Sequence, residues 1–216
     1  MGYDAFNLSL LGYNRTTGSS DIDHFVAETP SQKEAIYRFR YDAYAKCDLI
    51  RQSLSASLSD WQDDEPDTVI YGINLQGRLA GTIRLTPLRA DQKACATYEM
   101  FGDALDPILE AGGTIADGSR LAVACEDPKT RRRVLMYALG IAMDFARHHC
   151  ASHGAIIARH RHAPFYERYG FQSISGPFDY AEALTPLCLM IAPLPHAVGA
   201  VPARSRYDSN VAMSAA

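Results

Sequence analysis

The sequence predicts a mixed chain of the α+β or α/β class, and three observations carry that reading. Val69, Tyr71, Ile73 and Leu75 alternate with Ile70, Gly72 and Asn74, and after Gln76-Gly77 the alternation resumes as Leu79, Gly81, Ile83 and Leu85. That period of two on both sides of a Gly-containing pair is a β-hairpin. Residues 131–150 place Val134, Ala138, Ile141, Ala142 and Phe145 on one helical face, the strongest helix in the chain. Towards the C-terminus, short apolar runs at 155–158, 171–174 and 187–192 are strands, and a short helical stretch at 164–169 separates the first two. Strands and helices interleave, so a sheet with helices against it is the expected architecture.

The remaining elements fill in around these. Ser31 and Glu34 form a capping-box pattern ahead of Ile36, Phe39, Ala43 and Tyr44, which predicts the first helix. Residues 46–67 are rich in Ser and Asp with little periodicity and read as a long loop holding at most a short helix. A helix within 97–110 is limited by Pro107 and ended by Gly112-Gly113, and a strand follows at 119–125. Residues 1–20 and 196–216 are polar and aperiodic, so the expected domain is 21–195, between a leader and a tail.

Composition sets limits on function. Of 216 residues, 47% are hydrophobic and 21% charged, which supports one globular core. A net charge of -4 leaves no broad positive field to hold nucleic acid, so any basic site must be local. Cys47, Cys95, Cys125, Cys150 and Cys188 are scattered and odd in number, which fits reduced thiols and a cytoplasmic protein. No apolar run approaches a membrane span, and the first residues lack the pattern of a signal peptide. His148, His149, His153, His160 and His162 lack the Glu of H-E-x-x-H and have no Cys at ligand spacing, so no metal site is expected. Arg159-His160-Arg161-His162, which follows the strand at 155–158, is a possible grip on an acceptor carboxylate, without other support in the sequence.

Five segments in order resemble one family. Phe165-Tyr166-Glu167-Arg168-Tyr169-Gly170-Phe171 is similar to the F-Y-x-x-x-G-F element of GNAT-type acyltransferases. Arg40-Tyr41-Asp42-Ala43-Tyr44, Asp64-Glu65-Pro66-Asp67, Gly81-Thr82-Ile83-Arg84-Leu85 and Asp117-Gly118-Ser119-Arg120-Leu121 resemble the branch of N-acyl amino acid synthases and N-acyl-homoserine-lactone synthases. The resemblance spans residues 28–194. It implies a GNAT-like three-layer fold, a mixed and mostly antiparallel sheet with a splayed parallel pair. The implied activity is N-acyl transfer to the amine of a small amino-acid acceptor. The implied donor is the acyl-phosphopantetheine of acyl carrier protein, with no tightly bound cofactor.

The resemblance also distributes roles. Asp117 is the candidate base, since the amine must lose a proton before it attacks a thioester; an acid before a strand is otherwise a turn residue. Tyr166 is a candidate proton donor to the leaving thiolate or a packing residue. Arg84 and Arg120 are assigned to the reaction or to ion pairs with Asp64, Asp67 and Asp117. Arg40, Tyr44, Asp64 and Asp67 are substrate-side candidates. The stretch Asp127-Pro128-Lys129-Thr130 contains no glycine, so a pyrophosphate would be kept from the backbone and a CoA donor is disfavoured. Arg131, Arg132 and Arg133, with Ser119, are the candidates for holding the donor's arm. Trp61, the one tryptophan, does not match the early Trp of the lactone synthases, which favours amino-acid acylation. Lactone synthesis and a non-catalytic acyl or carrier binder remain the alternatives.

Overall fold

The structure, a computed structural model, describes residues 21–51, 53–180 and 183–194. The expected leader and tail lie outside the described residues. Seven strands form one sheet: β1 (Ile22–Val26), β2 (Val69–Leu75), β3 (Arg78–Leu88), β4 (Ile115–Val123), β5 (His153–Arg159), β6 (Gln172–Ser173) and β7 (Leu187–Pro193). Their order across the sheet is β1-β2-β3-β4-β5-β7-β6. Every neighbouring pair is antiparallel except β4 and β5, which run parallel. This is the GNAT-like fold with its one parallel pair.

Four α-helices flank the sheet: α1 (Pro30–Ala45), α2 (Ala96–Glu110), α3 (Pro128–His148) and α4 (Ala163–Glu167). The apolar stripe of α3 drives the larger core, where Val134, Ala138, Ile141 and Phe145 bury against Ile73, Ile83 and Leu85. On the opposite face, Leu105 and Leu109 of α2 pack with Leu88, Ile115 and Leu189, and Ile36 of α1 packs with Ile70. The result is three layers, with the sheet in the middle.

Several elements differ from expectation in instructive ways. Helix α1 is capped by Thr29, which accepts from the Gln32 N–H, while the Gln32 side chain returns to the Thr29 N–H. Pro30 sits at the first helical position, where its missing N–H costs nothing, and the cap therefore falls at Thr29, two residues ahead of Ser31. Pro107 is tolerated inside α2, and the break in that helix falls instead at Phe101. Strand β4 begins at Ile115, so Asp117 is its third residue and not a residue at a strand start.

The feature that matters most for function is where β4 and β5 part. They pair from Ile115 with His153 to Gly118 with Ile156, and both strands then continue without pairing to each other. A bulge causes the divergence. Against β3 the register runs from Arg84–Ser119 to Thr82–Ala122, one extra residue on β4, with Arg120 at φ 51°. A bulge of this kind bends its strand and increases its twist, carrying β4 away from β5.

Gly81, the glycine of the Gly81-Thr82-Ile83-Arg84-Leu85 segment, lies under α3. A Cβ placed there would come 2.8 Å from the Val134 Cγ1 and 3.4 Å from the Ala122 carbonyl oxygen. Gly81→Ala is therefore expected to lift α3 off the sheet and cost about 1–3 kcal/mol in denaturant unfolding. Unchanged stability would show that the helix has slack at this contact.

Candidate active site

A cavity of about 740 Å³ passes through the gap between β4 and β5. That is ample for a small-molecule substrate. On the face of α1 and α2 it is lined by polar groups, among them Tyr44, Asp60, Arg84, Thr97 and Arg120. On the face of α3 it is lined by apolar and small residues, including Ala142, Ala146, Gly154, Phe171 and Leu194. One continuous space thus joins a charged chamber to an apolar pocket within the core.

The charged chamber is built by a lattice of three arginines and two aspartates. Asp60 and Asp63 come from the loop after α1, at a short 3-10 helix (Trp61–Asp64) that Asp60 caps by accepting from the Gln62 N–H. Arg84 of β3 donates through Nη1 to Asp60 Oδ1 and forms an ion pair with Asp63 Oδ1 at 3.2 Å. Its Nε donates to Ser119 Oγ at 2.9 Å, and its Nη2 to Gln62 Oε1 at 3.2 Å. Arg120 grips Asp60 Oδ2 with Nε and Nη2. Arg40 of α1, fully buried, donates to both oxygens of Asp63 at 2.8 and 3.0 Å. The bulge makes this possible: Ser119 and Arg120 are consecutive, yet both reach the Arg84–Asp60 pair. Burial would raise the Asp60 acid, but the hydrogen bond from Arg84 and the charge of Arg120 hold it down at about 2.

Beside the lattice lies a second buried acid. Asp117 is fully buried, and its Oδ1 accepts from the Thr97 hydroxyl at 2.7 Å while Oδ2 has no hydrogen-bond partner among the described residues. Burial raises its pKa, against the pull of Thr97 and Arg84. Thr97 lines the cavity; it stands between Asp117 and whatever the cavity holds.

The family model for N-acyl amino acid synthase FeeM matches residues 35–193. The chain belongs to this family. Among solved structures, FeeM itself, an N-acyl amino acid synthase from uncultured soil microbes, aligns at TM-score 0.65 and 17% identity, covering 81% of this chain and 91% of that one. The acyl-homoserine-lactone synthase LasI aligns at TM-score 0.63 and 12% identity, over 87% of this chain and 100% of that one. The CoA-dependent lactone synthase BjaI aligns at TM-score 0.53 and 16% identity, over 80% of this chain and 82% of that one. No curated protein sequence matches the chain. The protein is accordingly an acyltransferase, of the FeeM family and related to the lactone synthases.

The FeeM-family chain gathers some of the sequence-derived candidates and disperses others. Arg40, Arg84, Ser119 and Arg120 meet in the lattice. Tyr44 and Tyr166 line the cavity, and Tyr44 donates to the Leu121 carbonyl at 3.2 Å. Burial, with a further push from Tyr44, raises the Tyr166 phenol to about 12. The acids that meet the arginines are Asp60 and Asp63, and this corrects the expected Asp64 and Asp67. Asp64 is exposed and pairs with Lys33 at 2.9 Å, and Asp67 is exposed too. The three arginines of α3 also part. Arg133 pairs with Asp21 away from the cavity, and Arg131 turns back to the Cys125 and Glu126 carbonyls. Arg132 joins Arg168, Phe165 and Tyr169 around a groove of about 340 Å³. Nothing in the sequence pointed to Gln62 or Thr97 at the site, and Arg159 appeared only as the first of a basic run. Asp60-x-x-Asp63 was visible only as one of two pairs with the same spacing. Among the described residues, no group of three His, Cys, Asp or Glu side chains could hold a metal ion, and no helix is long and apolar enough to cross a membrane.

The lattice should make stability sensitive to acid. The Asp60 carboxyl is held near 2 against an ordinary 3.8, so its contribution is full above about pH 4 and is lost as pH falls towards 2. Asp60→Asn is expected to cost about 3 kcal/mol or more near neutral pH, because two arginines lose a charged partner. That deficit should shrink by about 2 kcal/mol between about pH 4 and pH 2. Denaturant unfolding of both proteins across that range measures it, and a deficit independent of pH would remove Asp60 from the acid response.

Proposed function

We propose that the chain transfers a long-chain fatty acyl group from an acyl-carrier-protein thioester to the amine of an amino acid, giving an N-acyl amino acid. The observation that carries this reading is the single cavity that joins an apolar pocket to an arginine-lined chamber through the β4–β5 gap. The acyl tail occupies the apolar side, the thioester lies in the gap, and the acceptor enters from the chamber.

The chemistry needs a base, an oriented carbonyl and an acid. Asp117 is the base, acting through Thr97. The acceptor's ammonium gives a proton to the Thr97 hydroxyl as that hydroxyl gives its own to Asp117, leaving a neutral amine and a protonated carboxyl. The amine then attacks the thioester carbon, the C–N bond forms and the C–S bond breaks. Tyr166, whose hydroxyl makes no hydrogen bond among the described residues, protonates the departing thiolate, and the second proton shed by the new amide nitrogen restores the phenol. Arg84 and Arg120 keep Ser119 and the bulge of β4 in place, and Tyr44 walls the chamber.

The start of α3 favours a carrier protein over CoA. Asp127 caps that helix, its Oδ2 accepting from the Thr130 N–H at 2.8 Å and the Thr130 hydroxyl at 2.7 Å. A carboxylate therefore occupies the helix terminus where a pyrophosphate would otherwise seek N–H donors, and like charges repel. The groove flanked by Arg132 and Arg168 suits the phosphate at the root of the arm and the acidic surface of a carrier.

The deciding experiment supplies purified protein with long-chain acyl carrier protein or acyl-CoA and a panel of amino acids, with products read by mass spectrometry. N-acyl amino acids from the carrier thioester are expected; acyl-homoserine lactones alone, or no product, would overturn the reading. Asp117→Asn should lower kcat by about 100-fold or more and abolish the acid limb of the pH–rate profile. Retention of that limb would exclude Asp117 as the base. Arg132→Glu with Arg168→Glu should raise KM for acyl carrier protein strongly and spare a short acyl-pantetheine donor, and salt should weaken the wild type with carrier. Equal KM values at low salt would return both arginines to the surface.

A further inference from the structure

Four arginines line the cavity, Arg84, Arg120, Arg131 and Arg159, and Asp60 is the one carboxylate in its lining among the described residues. Arg84 and Arg120 spend their charge on Asp60, and Arg131 is turned to backbone carbonyls beside α3. Arg159 is different. It is the last residue of β5, only 9% exposed, and its guanidinium makes one hydrogen bond among the described residues, from Nη2 to the Cys47 carbonyl at 3.2 Å. No carboxylate there pairs with it. Leaving a guanidinium this buried without an anion is costly, and an anionic ligand would relieve the cost.

Its surroundings say which ligand. Arg159 lies past the point where β4 and β5 part, and its bond to Cys47 ties it to the loop that follows α1, on the chamber side of the sheet. Its charge is felt at Tyr44 and at His162, both of which line the same cavity. Burial, then the charges of Arg159 and Arg161, lower the His162 pKa, so His162 stays neutral and does not compete as a cation. In the reading above the donor's phosphate is taken instead by the groove at α3 and α4, whose lining does not include Arg159.

We propose that Arg159 binds the carboxylate of the amino-acid acceptor and so makes the enzyme select amino acids over simple amines and amino-acid amides. The assignment rests on the reading above and adds the acceptor's second functional group to it. A planar guanidinium with open N–H groups suits a carboxylate in a paired, charge-assisted contact. The same contact leaves the acceptor's amine free for attack.

The test compares an amino acid with its amide in wild type, Arg159→Gln and Arg159→Lys. Arg159→Gln should raise KM for the acid roughly 10- to 100-fold, the usual worth of a hydrogen bond to a charged group. KM for the amide and for acyl carrier protein should move by less than about threefold, since neither depends on the lost contact. Arg159→Lys should recover part of the affinity for the acid. A second arm needs no turnover: calorimetric binding of N-dodecanoylglycine and N-dodecanoylglycinamide, which share an acyl tail and differ at the carboxylate. Wild type should prefer the acid by about tenfold or more, and Arg159→Gln should erase the preference. An acid-to-amide ratio that is the same in wild type and variant overturns the assignment. If Arg159→Gln shows no thermal transition, Arg159→Lys carries the same comparison with a smaller expected fall. A wild type that acylates no amino acid defeats the proposed reaction by itself, while the two glycine probes still decide the role of Arg159.

Discussion

The bonds from Arg84 and Arg120 to Asp60 are the contact on which the rest of the site depends. Arg84 belongs to the centre of the sheet, Arg120 to the bulge in β4, and Asp60 to a loop with little structure of its own. Tying the three together fixes the bulge in a backbone conformation that a non-glycine residue rarely adopts. The bulge in turn parts β4 from β5 and opens the cavity. Arg40 and Asp63 extend the lattice back to α1, so the chamber's wall and the sheet's defect are one mechanical unit.

Such a lattice is a poor source of net stability. Five charged side chains removed from water repay their desolvation only if the geometry is good, and hydrophobic replacements are often equally stable. What the charges supply is placement. The loop lacks an apolar stripe that could dock it, since Gln62 and Asp63 are its buried residues near Asp60. Polar contacts of fixed direction position it where nonspecific packing would not.

The elements most legible in the sequence are those governed by local rules. Helix α3 and the β2–β3 hairpin show their periods along ten or more residues, and the family resemblance implied a splayed parallel pair without naming its strands, which are β4 and β5. Strand β1 went unread because its five residues include Asp23 and His24 and follow a polar stretch. The acid pair was misplaced because two D-x-x-D spacings follow one another within 60–67, and only the fold tells which carboxylates point inward. Thr97 carries no local signal, and Arg159 shows only as the first of a short basic run. Their partners, Asp117 and the Cys47 carbonyl, are 20 and 112 residues away in the chain. Contacts of that separation depend on strand order, which no local pattern encodes.

The gap in the sheet has a thermodynamic side. Beyond Gly118 and Ile156, the facing edges of β4 and β5 have no strand to pair with, although each strand is otherwise deep in the sheet. Peptide groups there keep their hydrogen bonds by turning to side chains, as the Leu121 carbonyl does to the Tyr44 hydroxyl, to solvent or to a guest. Filling the gap is therefore an exchange of hydration as much as an act of recognition, with the apolar pocket beyond it losing its contact with water in the same event. The expected mark of that exchange is a heat capacity that falls as the guest enters, whatever the balance of enthalpy and entropy at any one temperature.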